Sequence, residues 1–338
     1  MPALLEQRIK DSLKIHYGID APTLTLLPLG ADMQSSVYKA ETLNHASYFV
    51  KVKRGPRPEN SALIIEFLCS AGIQHIIPMV KTIRGEATLL MDDVTLTVFP
   101  FVAGHDGFSR ALTEDQWYVL GKVMRQIHEI KVPAGLQGKI RRESYSPKWR
   151  KALRALYPLM ESEPSGDEIA VNLLTFMKKH RAAIHRLVDR AEQLAQMAQD
   201  QSPPFVLCHS DLHGGNILIG ENDISIVDWD DPIMAPPERD LMFIGGGVAN
   251  VWNNPQEEAL FYKGYGETDV NGTLLAYYRH ERIVEDMALY GQQLLLTTAG
   301  GQDRRTWYQQ FIAQFEPQGV VEIAFKTDLE NILPLKGC

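Results

Sequence analysis

Four polar residues near position 210 are spaced for one kind of chemistry. His209, Asp211 and Asn216 fall in Leu207-Cys-His-Ser-Asp-Leu-His-Gly-Gly-Asn-Ile-Leu-Ile219, and Asp228 falls in Ile226-Val-Asp-Trp-Asp230. Phosphoryl transfer needs a carboxylate to orient and deprotonate a hydroxyl. It also needs oxygen ligands for the magnesium that neutralises the phosphates. Asp211 suits the first task, and Asn216 and Asp228 suit the second. Two apolar, β-branched runs, Ile217–Ile219 and Ile224–Val227, flank a polar turn at 220–223 and read as a hairpin. A hairpin there brings Asn216 and Asp228 side by side, where they can share one metal. Asp, Asn, Gly and His are ordinary loop residues. What lifts this stretch above a plain loop is the agreement of the apolar strand before it, the hairpin after it and the Asp-Trp-Asp terminus.

The elements that must position these residues divide the chain in two. Residues 3–17 have helical spacing and end at Gly18. Strands are expected at 23–29, 37–42, 47–53, 76–83, 87–91 and 94–99, with one helix between Pro58 and Gly72. This gives a small antiparallel β lobe over residues 1–100. Pro100-Phe-Val-Ala-Gly-His-Asp-Gly107 reads as a hinge. Residues 101–338 are mainly helical, opening with a capping box at Thr113-x-x-Gln116 and an apolar stripe of Trp117, Leu120, Met124 and Ile127. The class is α+β, with two lobes and a cleft between them, where ligands commonly bind.

Within the β lobe, Tyr48-Phe-Val-Lys-Val-Lys53 places Lys51 and Lys53 on the same strand face. Lys51 lies inside the apolar run and needs a partner there, whereas Lys53 can reach solvent. Lys51 is therefore the expected phosphate lysine, with Glu59 or Glu66 to orient it. Glu59 opens its helix and could instead complement the dipole. The turn Gly30–Ser36 could cover phosphates with backbone N–H groups and with the hydroxyls of Ser35 and Ser36. Asp230 and Asp231 are further carboxylates beside Asp228. Glu238-Arg-Asp240 suggests buried structural pairs, and His213 a loop-shaping role.

Composition sets limits. The chain has 338 residues, 45% of them apolar, and a net charge of −8. The charge is uneven, since residues 201–338 carry eight basic and twenty acidic side chains, a net of −12. Such a surface is a poor nucleic-acid partner and would favour a small cation. No apolar run is long enough to span a bilayer, and the first residues lack the pattern of a signal peptide, so the expected location is cytoplasmic. The three cysteines, Cys69, Cys208 and Cys338, have no metal spacing and read as reduced thiols.

These motifs resemble the aminoglycoside phosphotransferase family, whose fold is like that of protein kinases. The resemblance covers nearly the whole chain. It is most specific in Ser47–Lys51, Gly121–His128, Tyr145–Arg150, Ala183–Asp189, Glu238–Gly247, Asn250–Asn253 and Tyr278–Asp286. It implies a bilobal kinase-like fold, ATP as donor, Mg2+ as cofactor, and a hydroxyl of an aminocyclitol antibiotic, spectinomycin first among them, as acceptor. It further implies Asp211 as base, Asn216 and Asp228 as metal ligands, and Lys51 on the nucleotide phosphates. Adenine would meet the backbone of Phe99, Pro100, Phe101 and Val102. A cationic acceptor would suit Asp231, Glu281, Glu285 and Asp286, with Trp252 and Tyr290 for apolar or cation–π contact. His-Ser-Asp and Asp-Trp-Asp stand where protein kinases have His-Arg-Asp and Asp-Phe-Gly, which argues against phosphorylation-gated protein kinase activity. The alternatives are a metabolic kinase of the same fold, acting on an amino alcohol, sugar or amino acid, and a nucleotide-binding regulator without catalysis. The oligomeric state is not legible.

Overall fold

The computed structural model describes residues 2–27, 35–55, 59–163, 166–221, 223–301 and 303–332. The chain forms two units that interleave in sequence. The first comprises residues 1–110, 133–140 and 216–232, and the second 111–132, 141–215 and 233–338. The hairpin after the Asp211 loop thus belongs to the first unit, although the loop itself belongs to the second.

In the first unit the strands Thr23–Leu27, Ser35–Glu41, Ser47–Arg54, Val94–Pro100 and Thr88–Met91 form, in that spatial order, a fully antiparallel five-stranded sheet. Strand residues alternate between faces. Val50, Val52, Leu96 and Val98 therefore point to one side, where Ile9, Leu13 and Tyr17 of the helix Pro2–Tyr17 close a core. Lys51 and Lys53 point to the other side. The expected strand at 76–83 does not form. Pro78 has no N–H to give a ladder, and the other backbone groups are divided among partners. Val80 N–H goes to the Val98 carbonyl, Ile83 N–H to that of His16, and the His75 carbonyl accepts from Ile226 N–H. Only Ile76 makes a bridge, to Ile226.

The predicted hairpin is present. Ile217–Ile219 pairs antiparallel with Ile224–Ile226 in the register Ile217↔Ile226, and His105–Asp106 adds a third strand beside Ile217–Ile219.

The second unit is built on helices. The capping box at Thr113 forms as expected, with its hydroxyl accepting Gln116 N–H and the Gln116 side chain accepting Thr113 N–H. The helix it opens, Glu114–Glu129, packs against Pro255–Tyr265 through two glycines. A Cβ on Gly264 would stand 1.9 Å from the Tyr118 carbonyl oxygen, and one on Gly121 2.0 Å from that of Phe261. No side chain fits at either position, so the two helix backbones meet directly. The 24-residue helix Gly272–Leu295 runs through the unit's core. Ile283, Val284, Met287 and Ala288 pack against Leu187, Val188 and Ala191 of the helix Arg181–Gln201 and against Phe311. Three short strands, Arg141–Arg142, Ile233–Ala235 and Val206–Cys208, make a small sheet that leads into the Asp211 loop. The α+β class expected from the sequence holds. Among the described residues no helix is long and apolar enough to cross a membrane.

His280, on the long helix, is wholly buried, and its Nε2 has no hydrogen-bonding partner among the described residues. Burial pushes its imidazole down from 6.5 to about 4. The unfolded chain then binds a proton at a pH where the fold does not, so this contribution is complete above 6.5 and is lost as pH falls toward 4. A shift of that size corresponds to about 3 kcal/mol. His280→Leu should flatten the fall in Tm between those pH values. An unchanged slope would show that His280 does not set it.

Candidate active site

The first unit gathers lysines and carboxylates on the sheet face opposite its core. Cross-strand neighbours of Lys51 are Val37 and Thr97, and those of Lys53 are Ser35 and Thr95. Lys51 Nζ lies 2.6 Å from Asp228 Oδ1 and 3.0 Å from Asp230 Oδ2, while Lys53 Nζ lies 3.3 Å from Asp230 Oδ2. Lys51 is the more enclosed of the two, at 14% side-chain exposure against 31%. Among the described residues, the carboxylates that meet Lys51 thus come from the Asp-Trp-Asp segment. Glu66 pairs with Lys81 at 2.7 Å instead, and the side chain of Glu59 lies outside the described residues. So does Gly30, whereas Ser35 and Ser36 open the second strand.

Hairpin pairing continues one step past the strands, with Val227 N–H donating to the Asn216 carbonyl at 3.0 Å. Asp228 therefore follows directly on the residue facing Asn216. It adopts φ 63°, a left-handed conformation that Asp tolerates better than most residues. Trp229 anchors the turn. It is buried, its indole N–H donates to the Ile226 carbonyl at 3.2 Å, and its own carbonyl accepts the Ser61 hydroxyl at 2.5 Å. Asn216 is buried and Asp231 is exposed. An amide oxygen and carboxylates make a hard, all-oxygen donor set of the kind magnesium takes. Just past the strand Val94–Pro100, Phe101 N–H donates to the Ser47 carbonyl at 3.0 Å. Phe99 packs edge-on against Phe49, and Val102 is exposed.

The second unit holds Asp211. Its loop is braced by a residue 30 positions later. Asp240, with no exposed surface, accepts the N–H groups of His209 at 2.8 Å and Ser210 at 2.7 Å. Those bonds offset the left-handed φ of 74° at Ser210. Asp240 Oδ2 also lies 3.1 Å from His128 Nε2, and His128 Nδ1 lies 2.7 Å from the Tyr265 hydroxyl. His128, Cys208 and Asp240 place three donor atoms within 4.8 Å of one another. Each is already engaged, the Cys208 thiol with the Pro236 carbonyl at 3.5 Å, so the cluster is a hydrogen-bonded core. The two loop histidines serve the backbone. His209 Nδ1 accepts Asp211 N–H, and His213 Nδ1 accepts Gly215 N–H at 3.1 Å.

Asp211 meets two bases in this unit. Arg282 Nη1 bonds to its Oδ1, and His213 Nε2 lies 3.4 Å from its Oδ2. The surrounding protein desolvates the carboxyl and pushes it up. Arg282, then His213, more than reverse this and hold it well below the usual carboxylate range. Part of the side chain, 42%, stays exposed. Near Asp211 on the long helix, Glu285 and Asp286 are raised by burial against the pull of Arg282, and Tyr290 is raised by burial and by Asp286. Glu281 is spent on Arg150, whose guanidinium is almost wholly buried. Burial pushes Glu281 up to about 7 against that pairing. Trp252 is buried edge-to-face against Trp117 at 5.0 Å.

The structure thus brings together Asp211, Glu285, Asp286 and Tyr290 in one unit, and Lys51 and Asp228 in the other. Sequence reasoning missed Arg282, His128 and the hold of Asp240 on the loop. The i, i+4 pair Arg282–Asp286 was the visible signal for the first.

Residues 25–277 match the phosphotransferase enzyme family. The chain belongs to this family and is an enzyme that transfers phosphoryl groups. It is similar to a spectinomycin phosphotransferase, APH(9)-Ia, solved in complex with ADP and spectinomycin. The identity is 45%, over 95% of this chain and 98% of that one, with a TM-score of 0.89. The AMP-bound complex of the same enzyme gives 44% identity over the same shares and a TM-score of 0.85. An amicoumacin kinase bound to AMP-PNP and calcium shares the fold at 18% identity, over 95% and 94% of the two chains, with a TM-score of 0.63. No curated protein matches the chain by sequence.

Proposed function

We propose that this enzyme transfers the γ-phosphoryl group of ATP directly to a hydroxyl of spectinomycin. The observation that carries the reading is the 45% identity, spread over 95% of the chain, to an enzyme solved with ADP and spectinomycin. The chain's own residues support it part by part.

Asp211 orients the acceptor hydroxyl and takes its proton. A carboxyl held well below its usual range is a weak base. It suits a loose transition state, in which most of the work is alignment and charge stabilisation. Asn216 and Asp228 would hold magnesium, which neutralises the phosphate charge when bound. Lys51 contacts the nucleotide phosphates, and Ser35 and Ser36, at the start of the second strand, offer them hydroxyls. Glu59 stays a candidate for steadying the lysine. The stretch Phe99–Val102 receives adenine. Pro100 has no N–H and that of Phe101 goes to Ser47, so the contacts fall to the Pro100 carbonyl and the Val102 amide. Glu285 and Asp286 provide carboxyl groups for the protonated amines of the acceptor, and Tyr290 an apolar or cation–π contact. Asp231 is a further acid in the other unit.

The purified protein, given ATP and magnesium, should add one phosphoryl group to spectinomycin, read by mass spectrometry. Choline, homoserine and a pentose belong in the same panel. Far better turnover of one of these would replace the antibiotic with a metabolic acceptor. No turnover of any acceptor, with nucleotide binding intact, would favour a regulator.

The two lysines separate in a simple comparison. Lys51→Ala should raise the KM for ATP more than Lys53→Ala, because Lys51 is the more enclosed and is steadied by two carboxylates. Equal losses, or a larger one from Lys53→Ala, would move the phosphate role to Lys53.

A further inference from the structure

Arg282 has no place in the reaction as described so far, yet it makes the strongest contact to Asp211 in its unit. It lies on the long helix, 71 residues from Asp211 in sequence. Its Nη1 donates to Asp211 Oδ1, its Nε donates to Asp286 Oδ1 at 3.0 Å, and its guanidinium sits 5.6 Å from the centre of the Phe243 ring. Only 19% of the side chain is exposed. One planar fork therefore spans two carboxylates, with an aromatic ring beside it. A lysine, as a point charge on a flexible stem, could not reproduce that geometry.

We propose that Arg282, anchored by Asp286, is the positioning residue of the Asp211 carboxylate: it fixes one oxygen so that the other can turn toward the acceptor hydroxyl. The proposal rests on the reading of Asp211 as the base. Oδ2, the second oxygen, lies 3.4 Å from His213 Nε2. The charged and titratable groups around the carboxylate are His213 on its own loop and Arg282, Glu285, Asp286 and Tyr290 on the long helix, with Arg239 of the short helix Glu238–Leu241 acting on Glu285 and Arg282 rather than on Asp211. Of these, Arg282 exerts the largest downward pull on Asp211. A base tilted away from the hydroxyl loses rate steeply, on the order of 10²-fold for a displacement near 1 Å.

The test uses the full-length enzyme and two readouts. One is kcat with ATP, magnesium and spectinomycin. The other is the titration of the Asp211 carboxyl by carbon NMR, assigned through Asp211→Asn, which needs no acceptor. Arg282→Met should lower kcat by roughly 10- to 100-fold, leave the KM for ATP nearly unchanged, and move the Asp211 titration upward. Arg282→Lys should keep that titration low, because the charge remains, yet still lose rate, because the fork does not. Asp286→Asn should lose rate less and in the same direction. Unchanged kcat and unchanged Asp211 titration in Arg282→Met would overturn the proposal. So would a loss of Tm with no movement of the titration, the mark of a merely structural arginine. Should Arg282→Met fail to fold, Arg282→Lys decides by kcat: a loss of rate with the titration still low supports the proposal, and full activity overturns it. Full activity in Asp211→Asn would instead sink the reading of the base, and absence of spectinomycin turnover in the wild type would sink the acceptor. In both cases the NMR arm still reports whether Arg282 governs the carboxylate.

Discussion

Asp211→Asn is expected to cut kcat by roughly 10²- to 10⁴-fold, the span that positioned general bases contribute, while leaving the affinity for ATP nearly unchanged. The amide keeps the shape of the side chain and can still accept from Arg282, so geometry changes little and proton acceptance is lost. Lys51, Lys53 and the Asp-Trp-Asp segment, the proposed nucleotide side of the site, belong to the other unit, and nucleotide binding should not register the change. Stability should fall slightly at neutral pH. The folded-state carboxyl is depressed, so its contribution is present above the unfolded value and disappears as pH falls through the folded one. Steady-state kinetics beside nucleotide titration would check the separation of kcat from ATP affinity. The histidines on this loop should not carry the phosphoryl group, since His209 and His213 both spend Nδ1 on loop amides. Full activity in Asp211→Asn would remove the residue from its role. Acid-labile labelling of a histidine would replace direct transfer with a two-step route.

Asp228→Ala should reduce turnover to the limit of detection, with the fold intact. Magnesium holds to near-octahedral geometry and binds proteins through one or two carboxylates, so losing one of them is not made good by solvent. Metal stabilisation of developing charge is worth several kcal/mol, which translates to a loss on the order of 10³-fold or more. Lys51 would lose its 2.6 Å partner but keep Asp230 at 3.0 Å, so no buried charge is stranded. Asp228 itself is 43% exposed, which also limits the cost to stability. Activity within tenfold of wild type at saturating magnesium, with an unchanged circular dichroism spectrum, would rule out Asp228 as a ligand.

What could be read from the sequence was local. The hairpin that brings Asn216 beside Asp228 depends on two β-branched runs and a polar turn, all within thirteen residues. The capping box at Thr113 is likewise a pattern of four residues. Strand alternation placed Lys51 and Lys53 on one face, which the core on the opposite face explains. Partners were not legible. Glu66, one of the two glutamates expected to orient Lys51, pairs with Lys81 instead, while Asp228 and Asp230, some 177 residues from Lys51, come to it. Helical spacing shows which face a residue occupies, not which distant segment returns to it. Arg282 on Asp211 and Asp240 beneath His209 and Ser210 are of the same kind. The failed strand at 76–83 differs in kind: an apolar run with a proline inside it buried Ile76 and Met79 without joining a ladder, and left Ile83 exposed.

The first unit is not contiguous, since the hairpin at Ile217–Ile226 supplies the strand that pairs with His105–Asp106 and the backbone partner of His75. During synthesis the opening 110 residues therefore leave the ribosome without the segment that completes them. They must wait for more than a hundred further residues before Asp228 can reach Lys51. Over that interval two lysines on one sheet face lack their carboxylate neighbours, and the pairing edge at His105 stays open, a state prone to sticking to other nascent chains. A fragment cut after the five-stranded sheet would meet the same difficulty permanently. The unit that carries Lys51 is complete only once residue 232 has been made.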